Sequence, residues 1–142
     1  MRNGIKAILS LIAVVGSVCF ADISRCYSQD DNAELIREAV VQTKMVLPMK
    51  IDAVTTFTDI IGGPNSLTFL YEGDMDLSKI PLDQLAAMKQ QFPQMVCPKM
   101  TAIICGVGKV YFERGITINI KYYVKGGTTL GICSYSQTDC AN

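Results

Sequence analysis

The chain has 142 residues, with 13 basic and 13 acidic side chains and no histidine. Without an imidazole it lacks the commonest general base, the Ser-His and Cys-His nucleophile pairs and histidine metal sites. Its Lys and Arg residues are scattered singly, which leaves no clustered phosphate-binding face and argues against nucleic acid as a partner.

At the start, Arg2 and Lys6 precede an apolar run over 7–18, followed by Cys19-Phe20-Ala21. Basic start, hydrophobic stretch and small terminal residue have the order of a secretory signal, so residues 1–21 are expected to be cleaved after Ala21. The run is shorter than the roughly 20 residues that span a bilayer, and no later stretch reaches that length unbroken. No membrane span is therefore expected after cleavage, and the protein should be periplasmic or secreted. Cys19 follows Val18 and Cys26 follows Arg25, whereas a lipidated cysteine needs a small residue before it. Residues 22–142 have the size of one domain with its own core. Removing Arg2 and Lys6 leaves that part with a net charge of −2.

Residues 22–31 read as a polar leader running into a helix. Ile36, Ala39, Val40, Thr43 and Leu47 recur at helical spacing, Glu34 and Glu38 favour the N-terminal end of the dipole, Lys44 favours the other, and Pro48 should stop it. From Ile51 the period becomes two. Ile51, Ala53, Thr55 and Phe57 alternate with Asp52, Val54, Thr56 and Thr58, which predicts a strand. Gly62-Gly63-Pro64-Asn65 supplies a turn, and Leu67, Phe69 and Tyr71 continue the alternation, so the two runs form a hairpin.

Glu72, Asp74 and Asp76 then cluster in a loop. They lack the spacing of a calcium loop and read as a solvated acidic turn. Pro81 fits the first position of a second helix, with Leu82, Leu85, Ala86 and Phe92 on one face and Pro93 closing it. Met100, Ile103, Ile104, Val107, Val110 and Tyr111 follow helical spacing from Pro98 to Gly115. Gly106 and Gly108 favour a strand instead, so residues 107–114 read either way, with helix preferred. Met95, Cys97, Met100 and Cys105 could offer soft sulfur to copper(I), but methionines at this spacing usually fill a core and exported cysteines are usually bridged. No metal or other cofactor is expected.

Ile116, Ile118, Ile120, Tyr122 and Val124 alternate with Thr117, Asn119 and Lys121 as a strand, Lys125-Gly126-Gly127 turns it, and residues 128–135 return beside it. The expected fold is α+β: an antiparallel sheet of about four strands in two hairpins, helices packed on one face, and disulfide links. Tyr122 and Tyr123 must point to opposite faces of their strand. One is expected in the core and the other exposed as a binding surface, since aromatic side chains give large contact area.

Five cysteines remain after cleavage: Cys26, Cys97, Cys105, Cys133 and Cys140. In an oxidising compartment they should form two bridges and leave one thiol, with the pairing open on spacing alone. Cys97, the amphipathic segment after it, Gly115, Ile-Lys-Tyr-Tyr at 120–123, the glycine turn and Asp139-Cys140 resemble small exported proteins of Gram-negative bacteria. More distantly the chain is similar to pilotins, accessory proteins of secretion machines, although it lacks the lipobox many of them carry. The first resemblance implies a Cys97 to Cys140 disulfide, which leaves Cys26, Cys105 and Cys133 for a second bridge and a free thiol. Together these readings suggest a non-enzymatic binding or accessory protein with a protein partner, serving a secretion or envelope assembly and docking a segment on the exposed sheet face or an edge strand. An inhibitor or immunity-like protein against one exported enzyme, and a small enzyme using carboxylates or a free thiol, are the alternatives.

Overall fold

A computed structural model of the chain describes residues 29–141. The signal segment 1–21, its cleavage point and Cys26 lie outside the described residues. Helix α1 (Gln29–Lys44) buries Asn32, Leu35, Ile36 and Ala39 as a single stripe, with Asp30 and Asp31 in its first turn and Lys44 in its last. Asn32 ties the start of this helix down, because its Nδ2 donates to the Arg114 carbonyl at 3.0 Å. The chain leaves through a cis Leu47–Pro48 peptide into a two-residue strand, β1 (Met49–Lys50), which pairs with the next strand.

Strand β2 (Thr55–Gly63) begins four residues later than Ile51. Asp52 explains the shift: its Oδ1 accepts from the Val54 backbone N–H at 2.8 Å, while the Ile51 and Asp52 amides both turn to the Thr55 carbonyl. A side chain that satisfies its own neighbourhood in this way competes with the sheet ladder. Within β2 the register slips between Phe57 and Asp59. This bulge changes the parity, so that Phe57 and Ile60, three residues apart, both point into the core.

Strand β3 (Ser66–Gly73) completes the first hairpin, and a short 3-10 turn (Leu77–Lys79) leads to helix α2 (Leu82–Val107). This helix runs through both Pro93 and Pro98 rather than ending at Pro93. Each proline removes one intrahelical bond, so tertiary contacts must hold the segment. The Tyr135 hydroxyl donates to the Cys97 carbonyl at 2.8 Å, Thr101 Oγ1 donates to the same oxygen at 3.1 Å, and a disulfide fastens Cys97 to the sheet.

Gly108 separates α2 from the one-turn helix α3 (Lys109–Phe112). A Cβ there would lie 2.5 Å from the Phe112 ring and 2.7 Å from Ile118, so packing requires the glycine. Residues 107–112 are therefore helical with a break. Gly115 (φ 72°) ends α3, its amide bonding the Phe112 carbonyl while the Ile116 amide reaches back to Tyr111. This is the Schellman pattern of a helix C-terminus. Strands β4 (Thr117–Val124) and β5 (Thr129–Tyr135) form the second hairpin, and a 3-10 turn over Gln137–Cys140 follows.

Among the described residues the sheet has five strands in the order β1-β2-β3-β4-β5. Every pairing is antiparallel except β3 with β4, which is parallel. Against the expected antiparallel sheet of about four strands, the short β1 adds a fifth strand and the junction of the two hairpins is parallel. A helical crossover of more than thirty residues joins β3 to β4, and a crossover of that kind delivers its strand parallel to the one it left. The α+β class, the two hairpins and the disulfide links stand. Both long helices cover the same face, where Leu35, Ile36 and Ala39 of α1 and Ile104 of α2 meet Phe57, Ile60, Leu67, Phe69, Ile118 and Ile120 in one core. The other face carries Thr58, Thr68, Asn119, Tyr123 and Ser134, with Ile61 and Ile132 about half exposed.

Candidate functional site: an apolar cleft beneath the long helix

Between α2 and the middle of the sheet lies a cleft of about 230 Å³. Met100, Ile103, Ile104 and Val107 line it from α2, Phe69 and Tyr71 from β3, Ile118, Ile120 and Tyr122 from β4, and Tyr111 from α3. Ile51, Asp52 and Thr55 close one end. The helical residues are spaced 3, 1 and 3 apart, which sets all four on one side of the helix. Ile103 is 40% exposed and marks the rim, whereas Ile104 is buried.

Aromatic rings pave the floor. Phe57 stacks on Tyr71 at 5.0 Å between centroids, Tyr71 on Tyr122 at 5.6 Å, and Phe92 meets Tyr122 edge-on at 5.2 Å. Offset and edge contacts at these distances are favourable and fix the rings in place. Burial pushes the Tyr122 hydroxyl up to about 12, with Tyr135 adding to the shift, and pushes Tyr71 well above the usual phenol range, with Tyr122 adding to it. Both phenols stay neutral across the physiological range.

Among the described residues, Asp52 is the only charged side chain lining the cleft. It is half-buried, and among the described residues it has no ion-pair partner. The cleft thus gathers one carboxylate, one threonine and tyrosine hydroxyls around a hydrocarbon wall. Its walls suit the burial of apolar groups.

The residues expected from sequence fall in several places. Tyr122 lines the cleft, while Tyr123 sits on the opposite face with its hydroxyl 2.7 Å from Thr58 Oγ1. Asp74 bonds Lys125 at 2.7 Å, and that bond, then the charge itself, holds its carboxyl below the ordinary range. Asp76 caps the 3-10 turn by accepting from the Ser78 amide, and Glu72 lies opposite Tyr123 on β3. None of these acids lines the cleft. The residues missed were Met100, Ile103, Ile104 and Val107, whose spacing reads equally well as buried core.

The cysteine pairing is corrected. Cys97 bonds Cys133, and Cys105 bonds Cys140. Along a helix Cys97 and Cys105 stand about 12 Å apart, and Cys140 lies 5.3 Å from Cys105 between Cα atoms. Cys140 is thus taken by Cys105, about two turns of helix away from Cys97, and Cys97 is taken by Cys133. Cys133 points inward from β5, directly under Cys97. All four described cysteines are consumed, so none offers a thiol, and among the described residues no three Cys, Asp or Glu side chains gather as a metal site. Two disulfides in a domain of this size belong to an oxidising compartment, so the chain is an exported protein. Among the described residues no helix is long and apolar enough to cross a membrane.

No family model matches the chain, and no curated protein is similar to it in sequence. Its fold, however, is found in solved structures. A protein from Pseudomonas aeruginosa described as secreted superposes with a TM-score of 0.64 at 11% identity, over 85% of this chain and 99% of the other. The type II secretion system pilotin AspS from Vibrio cholerae superposes with a TM-score of 0.51 at 10% identity, over 79% and 94%. At such identities the likeness is one of fold, and at that level the resemblance to pilotins holds.

Proposed function

We propose that this is a periplasmic, non-enzymatic accessory protein that holds an apolar segment of a protein partner in the cleft beneath α2, in the service of a secretion or envelope assembly. One observation carries the reading: a preformed cleft of about 230 Å³ whose walls are hydrocarbon and aromatic, with Ile103 at its open rim. Sites that bind by burial have this composition, whereas acid–base catalysis needs converging titratable groups with separated proton affinities. A fold shared with a secretion pilotin supports the same reading. Tyr122 belongs to this docking surface, and Tyr123, on the far face, remains a separate candidate contact.

The test is affinity capture from an envelope extract of the native host, comparing the natural chain with Ile103→Glu and Ile132→Glu. Both positions are exposed, 40% and 53%, so the fold should survive either charge. A partner lost with Ile103→Glu and kept with Ile132→Glu supports the cleft. Equal capture by both variants would move the docking surface elsewhere, and loss with Ile132→Glu alone would move it to the open sheet face.

A further inference from the structure

Given that the cleft is a docking site, its electrostatics say what kind of segment it takes. A carboxylate at the rim of an apolar cleft loses hydration when the cleft fills, which is costly unless an opposite charge arrives with the occupant. Asp52 is in that position, with no cation among the described residues within ion-pair distance. At the other end of the cleft the charge of Glu38 on α1 reaches Tyr111, where it acts after burial to hold the phenol proton. The two charges seen to act on the cleft lining, Asp52 and Glu38, are thus both negative. An apolar cavity of roughly 150 Å³ takes one benzene, so the observed volume of about 230 Å³ suits one to two large side chains.

We propose that the seated segment is cationic and amphipathic, burying one to two large apolar side chains against Met100 and Tyr122 and setting a Lys or Arg beside the Asp52 carboxylate. A fatty acyl chain would fill the same hydrocarbon space, but its anionic head would meet Asp52 without a counter-ion. An acidic segment is disfavoured for the same reason.

Two synthetic peptides of about 14 residues with identical leucine positions, one with Lys and one with Glu at the polar positions, test this by calorimetry and by the Met100 methyl resonance. The Leu/Lys peptide should bind and shift Met100, and the Leu/Glu peptide should not. Asp52→Asn keeps an acceptor for the Val54 amide, so the turn survives. It should weaken the Leu/Lys peptide roughly two- to fivefold, as expected for a half-exposed ion pair. Asp83→Asn removes the same charge from an exposed residue outside the cleft and should change nothing. If both peptides shift Met100 equally and Asp52→Asn has no effect, the charge inference falls while the docking site stands. If neither moves Met100, both fall. Tighter binding of dodecanoate than of the Leu/Lys peptide would make the occupant a lipid and overturn the proposal.

Discussion

Pro93 of α2 lies directly over Gly131 of β5: a methyl group on Gly131 would come 2.6 Å from the Pro93 Cγ and 3.1 Å from its Cδ. The proline interrupts the helix ladder and the glycine leaves room for its ring, so each tolerates a residue that its own element disfavours. Gly131→Ala is expected to destabilise by about 1 to 3 kcal/mol, as overpacking against a rigid ring does. Gly106 provides the contrast, being inside the same helix with nothing within 4 Å of an added Cβ. Gly106→Ala should stabilise by about 0.5 to 1 kcal/mol. Urea unfolding of the two variants, read as midpoints at unchanged slope, checks both signs.

The two bridges give a prediction that can be read by mass. A digest without reductant should contain linked peptides carrying Cys97 with Cys133 and Cys105 with Cys140, and none joining Cys97 to Cys140. In the expected mature product, denatured but unreduced, one thiol should react, at Cys26. The bonds close sequence separations of 36 and 35 residues, for which chain entropy gives about 3 to 4 kcal/mol apiece. Replacing Cys97 and Cys133 together by Ala should cost about that much, plus the cavity left at Cys133, which is 2% exposed. The Cys105 and Cys140 pair lies at the half-exposed end of α2, so its removal should cost less.

Elements with a single clear period were legible in the sequence. The α1 stripe, the β4 alternation from Ile118 to Val124 and the Gly115 stop all follow from local chemistry that no tertiary contact overrides. What was illegible depended on distant partners. Pro93 reads as a stop because nothing local shows Gly131 beneath it. The alternation from Ile51 to Phe57 was real, but Asp52 consumes it in a turn and the bulge after Phe57 restarts it out of phase. The parallel junction of the hairpins lies in how α2 crosses over, which no strand periodicity records. The cleft was hidden because Met100, Ile103 and Val107 facing a cavity have the same spacing as residues facing a filled core.

Tyr71 and Tyr122 make stability fall on the alkaline side. Burial raises the proton affinity of both in the folded state above the ordinary phenol value near 10. Below that value both phenols are neutral whether the chain is folded or not, and no stability is lost. Above it the unfolded chain releases protons that the folded one retains, so unfolding gains with each rise in pH until the folded phenols ionise, for Tyr122 at about 12. Denaturant midpoints should therefore decline from about pH 10 upward. In Tyr122→Phe the decline should be shallower, and the tyrosinate absorbance of the folded protein should lose a late-titrating component. A midpoint that holds flat to pH 12, or a Tyr122→Phe variant that declines as steeply as the natural chain, would contradict the assignment.

On the open face Thr58 and Tyr123 form a directed pair. The Thr58 hydroxyl has one proton, which goes to the Leu70 carbonyl at 3.1 Å, so the Tyr123 hydroxyl at 2.7 Å donates to Thr58 Oγ1. Thr58 is the residue displaced by the β2 bulge, and this chain of two bonds fastens the bulge to β3 and, through Tyr123, to β4. Removing either partner should cost about 1 kcal/mol, with a coupling of about 0.5 to 1.5 kcal/mol in the cycle of Thr58→Ala, Tyr123→Phe and the double variant. The tyrosine ring keeps its cross-strand packing in Tyr123→Phe, so the cycle isolates the hydroxyl. Additive costs would mean that water serves Thr58 as well as Tyr123 does. Since this pair lies across the sheet from Ile103 and Met100, Tyr123→Phe should also leave partner capture through the cleft unchanged, which separates a stabilising hydroxyl from a contact residue.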